Sequence, residues 1–289
     1  MTRAAAKTGI GPMVLAAIEQ HEPPDRRIID DHLATLILPM HMRAFVWLLR
    51  PTWARAWMVR TSDQSIPGLW GGLLCRKRYI DEQLLAAHGQ IQAVVNLGAG
   101  FDTRAYRLPA LANIPMWEVD QLENITPKRA RLQNIFGQIP RHVTLVPIDF
   151  DQQDLGAVLA AHGYRMDTPT FFIWEAVSQY LTEAGVRTTF DFLAQSAPGS
   201  RLVFTYVRQD FIAGQVLYGQ ERLYQQYVVR DKLWHFGLAP DEVSPFLDQY
   251  GWRVVEHLGY EDLAERYVRP LNRGLASTPI ERIVAAEKR

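Results

Sequence analysis

The stretch Val94-Val95-Asn96-Leu97-Gly98-Ala99-Gly100-Phe101-Asp102-Thr103-Arg104 runs an apolar strand into a glycine-rich turn at a helix start. Gly98 and Gly100 remove side chains where backbone must turn tightly and a ligand comes close, and a helix N-terminus presents unpaired N–H donors to an acidic group. A dinucleotide fingerprint would need a third glycine at position 103, where Thr103 stands, and Asp102 before it would repel a pyrophosphate. A cofactor with cationic groups and no phosphate, such as S-adenosylmethionine with its ammonium and sulfonium, suits that acid better. From the glycines alone, a tight turn without a ligand stays open.

Acids recur at the ends of the following apolar runs. Asp120 lies 20 residues after Gly100, where a carboxylate would meet the hydroxyls of an unphosphorylated ribose. Asp149, with Phe150 beside it, could accept from an adenine amino group while the ring stacks, although Asp is also a common helix cap. Glu175 closes Phe172-Ile173-Trp174-Glu175, an apolar run in which a carboxylate needs a cationic partner. Together the acids and the glycine turn make one rim.

Side chains that could orient or deprotonate a substrate are Tyr180 after the fourth run, Tyr206 and Arg208 at the end of the fifth, and His235 beyond it. Arg208 with Tyr206 could orient a carboxylate, and His235 could deprotonate a phenol. A solvated arginine and an ordinary packed histidine are the alternatives.

These residues need a scaffold. Runs at 91–97, 115–119, 142–148, 170–175 and 201–207 are short, β-branched and aromatic, and helical patterns at 121–136, 152–162 and 182–196 separate them. Such alternation predicts an α/β fold with right-handed crossovers and a mostly parallel sheet, its ligands at the carboxyl ends of the strands. Two weaker strands are expected at 251–258 and 266–271. Residues 1–90 read as an N-terminal helical lid region and 91–289 as the sheet domain, one structural unit with a Tyr- and Gln-rich helical insertion at 209–240 placed to cover a substrate.

Within 40–60, Arg43, Arg50, Arg55 and Arg60 occur with no acid, while Val46, Leu49, Trp53 and Trp57 recur at helical spacing. Basic and aromatic together fit a membrane-surface helix, but Pro51 interrupts and such a stripe is more often core. Thirty-one basic residues balance 31 acidic ones, so a general nucleic-acid binder is disfavoured and a small partner preferred. Cys75 is the only cysteine, which excludes an intrachain disulfide and a Cys-rich zinc site and fits a reducing cytoplasm. No metal is expected, and no apolar run approaches the ~20 residues of a spanning helix. Arg3 and Lys7 precede a short apolar run broken by Gly9, Gly11 and Pro12, which does not read as a signal peptide. A homo-oligomer is possible but not readable.

The chain resembles the leucine carboxyl methyltransferase family of class I S-adenosylmethionine-dependent methyltransferases. The resemblance runs through VVNLGAGFDTRAYRL (94–108), Glu118-Val119-Asp120, WEAVSQYL (174–181) and APGSR (197–201), with upstream matches at Arg78-Tyr79-Ile80-Asp81 and 26–31. It implies a Rossmann-like sheet of seven mostly parallel strands and S-adenosylmethionine as methyl donor. It further implies that Arg78 pairs with the cofactor carboxylate, that Gly98 and Gly100 line its methionine portion and that Asp120 meets the ribose, with Ala99 and Gln121 also in the cofactor-binding set. Asp149 and Phe150 would meet adenine and Glu175 the aminoacyl end, with Asp102 and Arg104 in the same set. Arg104 and Arg107 could equally only anchor the first helix through acids such as Asp102. Within the family the chain looks most like bacterial O-methyltransferases of polyketide and other secondary metabolism, so a small carboxylate or hydroxyl is the expected acceptor. A peptide or protein C-terminal carboxylate is the alternative, with a nicotinamide oxidoreductase or a catalytically silent cofactor binder behind it.

Overall fold

The five apolar runs form five parallel strands: β1 Ala93–Leu97, β2 Met116–Asp120, β3 Val143–Pro147, β4 Thr170–Trp174 and β5 Arg201–Val207. Each lies within two residues of its expected position. In the computed structural model, which describes residues 7–150, 152–276 and 278–289, β6 Trp252–Leu258 and β7 Glu281–Lys288 complete a sheet of order β3-β2-β1-β4-β5-β7-β6. Arg3 falls outside the described residues. β7 is antiparallel to both neighbours. This is the Rossmann-like order of the class I methyltransferase fold.

The strands are buried on both faces, as helix-covered parallel sheets require. Alternate residues enter opposite cores: Val94, Ile173 and Val203 pack on one side, and Val95, Phe172 and Phe204 on the other.

From Lys7 to Ala87 the chain is helical, with α1 Gly11–Glu19, α2 Ala34–Ile37, α3 Met40–Leu48, α4 Thr52–Ser65 and α5 Leu69–Ala87. Helices α6 Arg104–Arg107, α7 Leu122–Phe136, α8 Leu155–Ala161 and α9 Glu183–Ala194 connect the parallel strands. The insertion holds α10 Gln209–Ile212, α11 Glu221–Tyr224 and one π-helical segment, Gln225–Arg230. Helices α12 Val243–Asp248 and α13 Tyr260–Tyr267 flank β6.

Two expectations are corrected. Residues 266–271 are not a strand: they span the end of α13 and a short 3₁₀ turn at Arg269–Leu271. The Asp262 carboxylate caps the Gly259 N–H at 2.8 Å and starts that helix, Tyr260, Leu263, Ala264 and Tyr267 bury one face of it, and Pro270 cannot donate to a ladder. The missing strand is ERIVAAEK at 281–288. The stripe in 40–60 is also only half core. Pro51 breaks the register between α3 and α4, so Val46 and Leu49 are buried while Trp53 and Trp57 face water. Among the described residues, no helix is long and apolar enough to cross a membrane.

Candidate functional site

At the carboxyl end of β1 the chain turns through Gly98 (φ 73°) and Gly100 (φ 45°), left-handed conformations that glycine adopts without a Cβ penalty. A Cβ on Gly98 would stand 2.3 Å from Cγ2 of Val177. The turn does not offer the free N–H donors expected of it. Gly98 and Ala99 donate to the Val119 carbonyl at 2.8 and 3.0 Å, and Gly100 donates to Oδ2 of Asp120 at 2.6 Å. The Asp102 N–H reaches the Ala99 carbonyl at 2.9 Å, and Oδ1 of Asp102 takes the Arg104 N–H at 2.7 Å. With these donors committed and α6 only four residues long, the turn is no phosphate cradle. It is a neutral saddle beneath a rim of carboxylates.

That rim surrounds a cavity of about 130 Å³ lined by Gly98, Ala99, Gly100, Asp102, Asp120 and Glu175, with Asn96 and Asn124 among the polar neighbours. Asp120 is buried, also accepts from the Gln121 N–H at 2.7 Å and Asn124 Nδ2 at 2.9 Å, and is pushed upward in pKa by its burial. Gly9, Pro12 and Met13 roof the cavity from the N-terminal helices.

The cations are arranged differently from the sequence expectation. Arg78 does not reach the cavity. It is exposed, pairs with Glu82 at 2.6 Å and donates to the Ile28 carbonyl at 3.2 Å. Two residues are roughly 200° of helical rotation, so Arg76 on the opposite face of α5 lines the cavity instead. Arg76 bridges Glu175 at 2.9 Å and Glu281 of β7 at 2.7 Å.

Arg104 is fully buried behind the cavity, not in its lining. It bonds Asp81 at 2.7 Å, Glu175 at 2.8 Å and Asp102. Arg107 reaches Asp81 at 2.6 Å and Asp31 at 3.4 Å. Both arginines thus tie α6 to acids of neighbouring segments. Burial works against the charge on Glu175, but Lys77, Arg104 and Arg76 outweigh it and hold the carboxyl well below the usual range. For Asp102, burial is likewise outweighed by Arg104 and Lys77, and its pKa falls to about 2. Both stay ionised at neutral pH.

Asp149 and Phe150 follow β3 but lie outside the cavity lining. Asp149 is exposed, its N–H donating to Oε1 of Gln153 at 2.8 Å, and Phe150 packs half-buried against the sheet core. Gln121, the N-cap of α7, is buried and also outside the lining.

A second, larger cavity of about 480 Å³ adjoins the first, and the two share Pro12, Arg76, Ala176 and Tyr180. Its walls are mostly apolar, from Leu15 and Leu69 of the N-terminal helices, Leu223, Tyr227 and Trp234 of the insertion, and Ile280 before β7. Tyr227 stacks on Trp234 with centroids 5.0 Å apart, and Tyr180 meets Trp234 edge-on at 6.4 Å. Leu223, Tyr227 and Trp234 of the insertion thus line this cavity.

Of the four substrate-handling candidates only Tyr180 lines either cavity. Tyr206 is buried in the sheet, its hydroxyl 2.8 Å from Nε2 of His257, and burial pushes that hydroxyl's pKa up. Arg208 is tied to Asp210 at 2.7 Å and stands over the Tyr218 ring. His235 is exposed, with only its backbone engaged, donating to the Gln179 carbonyl at 2.7 Å. Each sits near the right strand end but turns away. Sequence reasoning missed Arg76, Asn96, Asn124 and Ala176. The first had no local signal, since only the phase of α5 decides which of Arg76 and Arg78 faces the cavity.

The family model for leucine carboxyl methyltransferase matches residues 9–194. A relative from Mycolicibacterium gilvum, described as a "Putative S-adenosyl-L-methionine-dependent methyltransferase", is 31% identical over 186 residues, 64% of this chain and 60% of that protein. One of the same description from Mycobacterium avium is 36% identical over 138 residues, 47% and 46% of the two chains. Both matches thus span less than two thirds of the relative's length. A solved DUF574-family protein from Streptomyces avermitilis superposes with a TM-score of 0.57 at 16% identity, covering 82% of this chain and 91% of that one, which speaks to the fold alone. With the family model covering most of the chain and the glycine turn, Asp120 and Glu175 inside it, the chain belongs to the leucine carboxyl methyltransferase family.

Proposed function

We propose that this chain transfers a methyl group from S-adenosylmethionine to an oxygen of a small, largely apolar acceptor, a carboxylate in preference to a hydroxyl. The observation that carries the reading is the shared wall: a polar cavity at the glycine turn and an apolar one beneath the insertion meet at Pro12, Arg76, Ala176 and Tyr180.

The donor set of the polar cavity suits the cofactor. Asp120 offers a buried acceptor to ribose hydroxyls, Arg76 a guanidinium to a carboxylate, and Glu175 a permanent negative charge to an ammonium. The saddle at Gly98–Gly100 has no spare N–H for a phosphate, which disfavours a nicotinamide dinucleotide. Asp149 and Phe150 stay assigned to the adenine end as an expectation of the family pattern.

The cofactor supplies an electrophilic methyl group on sulfur. What the chain's residues must do is bring the acceptor oxygen through the shared wall, hold it in line and keep water out. A carboxylate acceptor is already ionised at neutral pH and needs no base to activate it. Tyr180, facing both cavities, is the side chain placed to hydrogen-bond the incoming oxygen. Aromatic walls from Tyr227 and Trp234 fit a planar or greasy body, in keeping with acceptors of secondary metabolism in the cytoplasm. The helices before β1 act as a lid in this reading, since Gly9 and Pro12 roof the donor cavity.

The test is to incubate the protein with methyl-labelled S-adenosylmethionine and a panel of apolar carboxylic acids, phenols and peptides ending in a free carboxylate. A base-labile ester on the small acids is the expected product. Label appearing only on peptides would move the acceptor class, and no transfer combined with no calorimetric binding of S-adenosylhomocysteine would overturn the proposal.

A further inference from the structure

The tip where α3 meets α4 places large apolar side chains in water. Trp53 is 77% exposed, and Trp47, Leu48 and Trp57 are each more than half exposed. All the exposed tryptophans among the described residues lie here. Trp53, Trp57 and Arg60 follow one another at i, i+4 and i+7 and so share a face of α4, while Val46, Leu49 and Ala54 turn into the core. The outward face is therefore set by packing on the opposite side.

The charge of the same segment has one sign. No acid occurs between Asp31 and Asp63. Of its arginines, Arg55 is buried and committed to Glu22 at 2.8 Å, and Arg43 turns to the Leu38 carbonyl at 2.8 Å. Arg50 and Arg60 are exposed, Arg50 over the Trp47 ring at 5.8 Å, and among the described residues neither has an acidic partner. Two-fold packing of this face on a second copy would set arginines against arginines, with no acid from either chain's tip to pair them. An anionic bilayer answers both features. Tryptophan settles at headgroup level, its ring in the acyl boundary, and arginines at that level meet lipid phosphates.

We propose that the α3–α4 tip docks the protein on an anionic lipid bilayer, with Trp47, Trp53 and Trp57 inserted and Arg50 and Arg60 on the headgroups. Ile66, one residue past α4, lines the larger cavity. The docked helix thus runs from the bilayer-facing tip to the wall of the apolar pocket.

The experiment is co-sedimentation of the intact protein with vesicles of phosphatidylcholine alone or mixed with phosphatidylglycerol. Binding is expected only to the mixed vesicles, weakening with added salt. Both Trp53→Ser/Trp57→Ser and Arg50→Gln/Arg60→Gln should reduce it by roughly tenfold or more. Thermal melts by circular dichroism at wild-type temperatures show that the variants fold. Neither readout depends on methyl transfer, so the outcome is separate from that of the acceptor panel. Equal binding to both vesicle types, or no binding to either, overturns the proposal. So does a wild-type dimer in light scattering that the tryptophan variant converts to monomer, which would give this face to a second copy.

Discussion

The two cavities that meet at Arg76 are built in opposite ways. The smaller is polar, and its glycine turn, Asp120 and Glu175 come from the carboxyl ends of neighbouring parallel strands β1, β2 and β4. The larger is apolar and is gathered from helices before β1, the insertion after β5 and the segment leading into β7. A parallel sheet delivers the first almost automatically, because every strand ends on the same side. The second exists only when three distant segments close over it. Donor recognition is thus bound to the sheet, whereas acceptor recognition is free to change with the loops.

The most damaging way to break that comparison is at the sheet itself. Gly98→Ala is expected to lose S-adenosylhomocysteine affinity by at least ~100-fold and to cost about 2–4 kcal/mol of stability, since Val177 and the backbone must both yield. Calorimetry and denaturant melts would measure both, and unchanged binding would contradict the account of the turn.

The next effect belongs to the ionic web behind the donor cavity. Asp102 titrates at about 2 in the folded chain against 3.8 ordinarily, so its stabilisation is present above about pH 4 and is lost as pH falls toward 2. Asp102→Asn should therefore destabilise by about 2 kcal/mol at pH 7. The gap from wild type should shrink between pH 4 and pH 2 in parallel denaturant titrations.

A smaller and more selective effect is expected in the apolar cavity. Trp234→Ala should raise KM for the acceptor roughly tenfold while leaving S-adenosylhomocysteine binding within about twofold. Equal losses for both ligands would mean that the cavities are not separable.

The smallest change is at their shared wall. Ala176 holds φ 56°, a left-handed conformation costly for a residue with a Cβ, and its N–H is pinned by Oγ1 of Thr205 at 2.8 Å. Ala176→Gly should raise stability by about 0.5–1 kcal/mol, read as a higher melting midpoint.

The five parallel strands and the acids at the ends of the second, third and fourth runs were legible because burial on both faces demands unbroken apolar runs, and because a turn residue at a strand end is local information. β7 was not, since ERIVAAEK opens and closes with charges and becomes a strand only between β5 and β6. Motif position points to Arg78, whereas helical phase decides that Arg76 faces the cavity. Tyr206, Arg208 and His235 stood at plausible places along the chain, and nothing local tells which way a side chain at a strand end will turn.

By itself the amino-acid sequence determined the alternating α/β pattern, the saddle at Gly98–Gly100 and the carboxylates Asp102, Asp120 and Glu175, all consequences of period, glycine and chain order. Only the tertiary structure decided which cations those carboxylates hold, that Arg76 spans both cavities, that Tyr180 alone of the substrate-handling candidates faces them, and that Trp53 and Trp57 look outward. The physical reason is that these depend on pairings across up to 205 positions of sequence, as between Arg76 and Glu281, which only the folded chain brings within 2.7 Å.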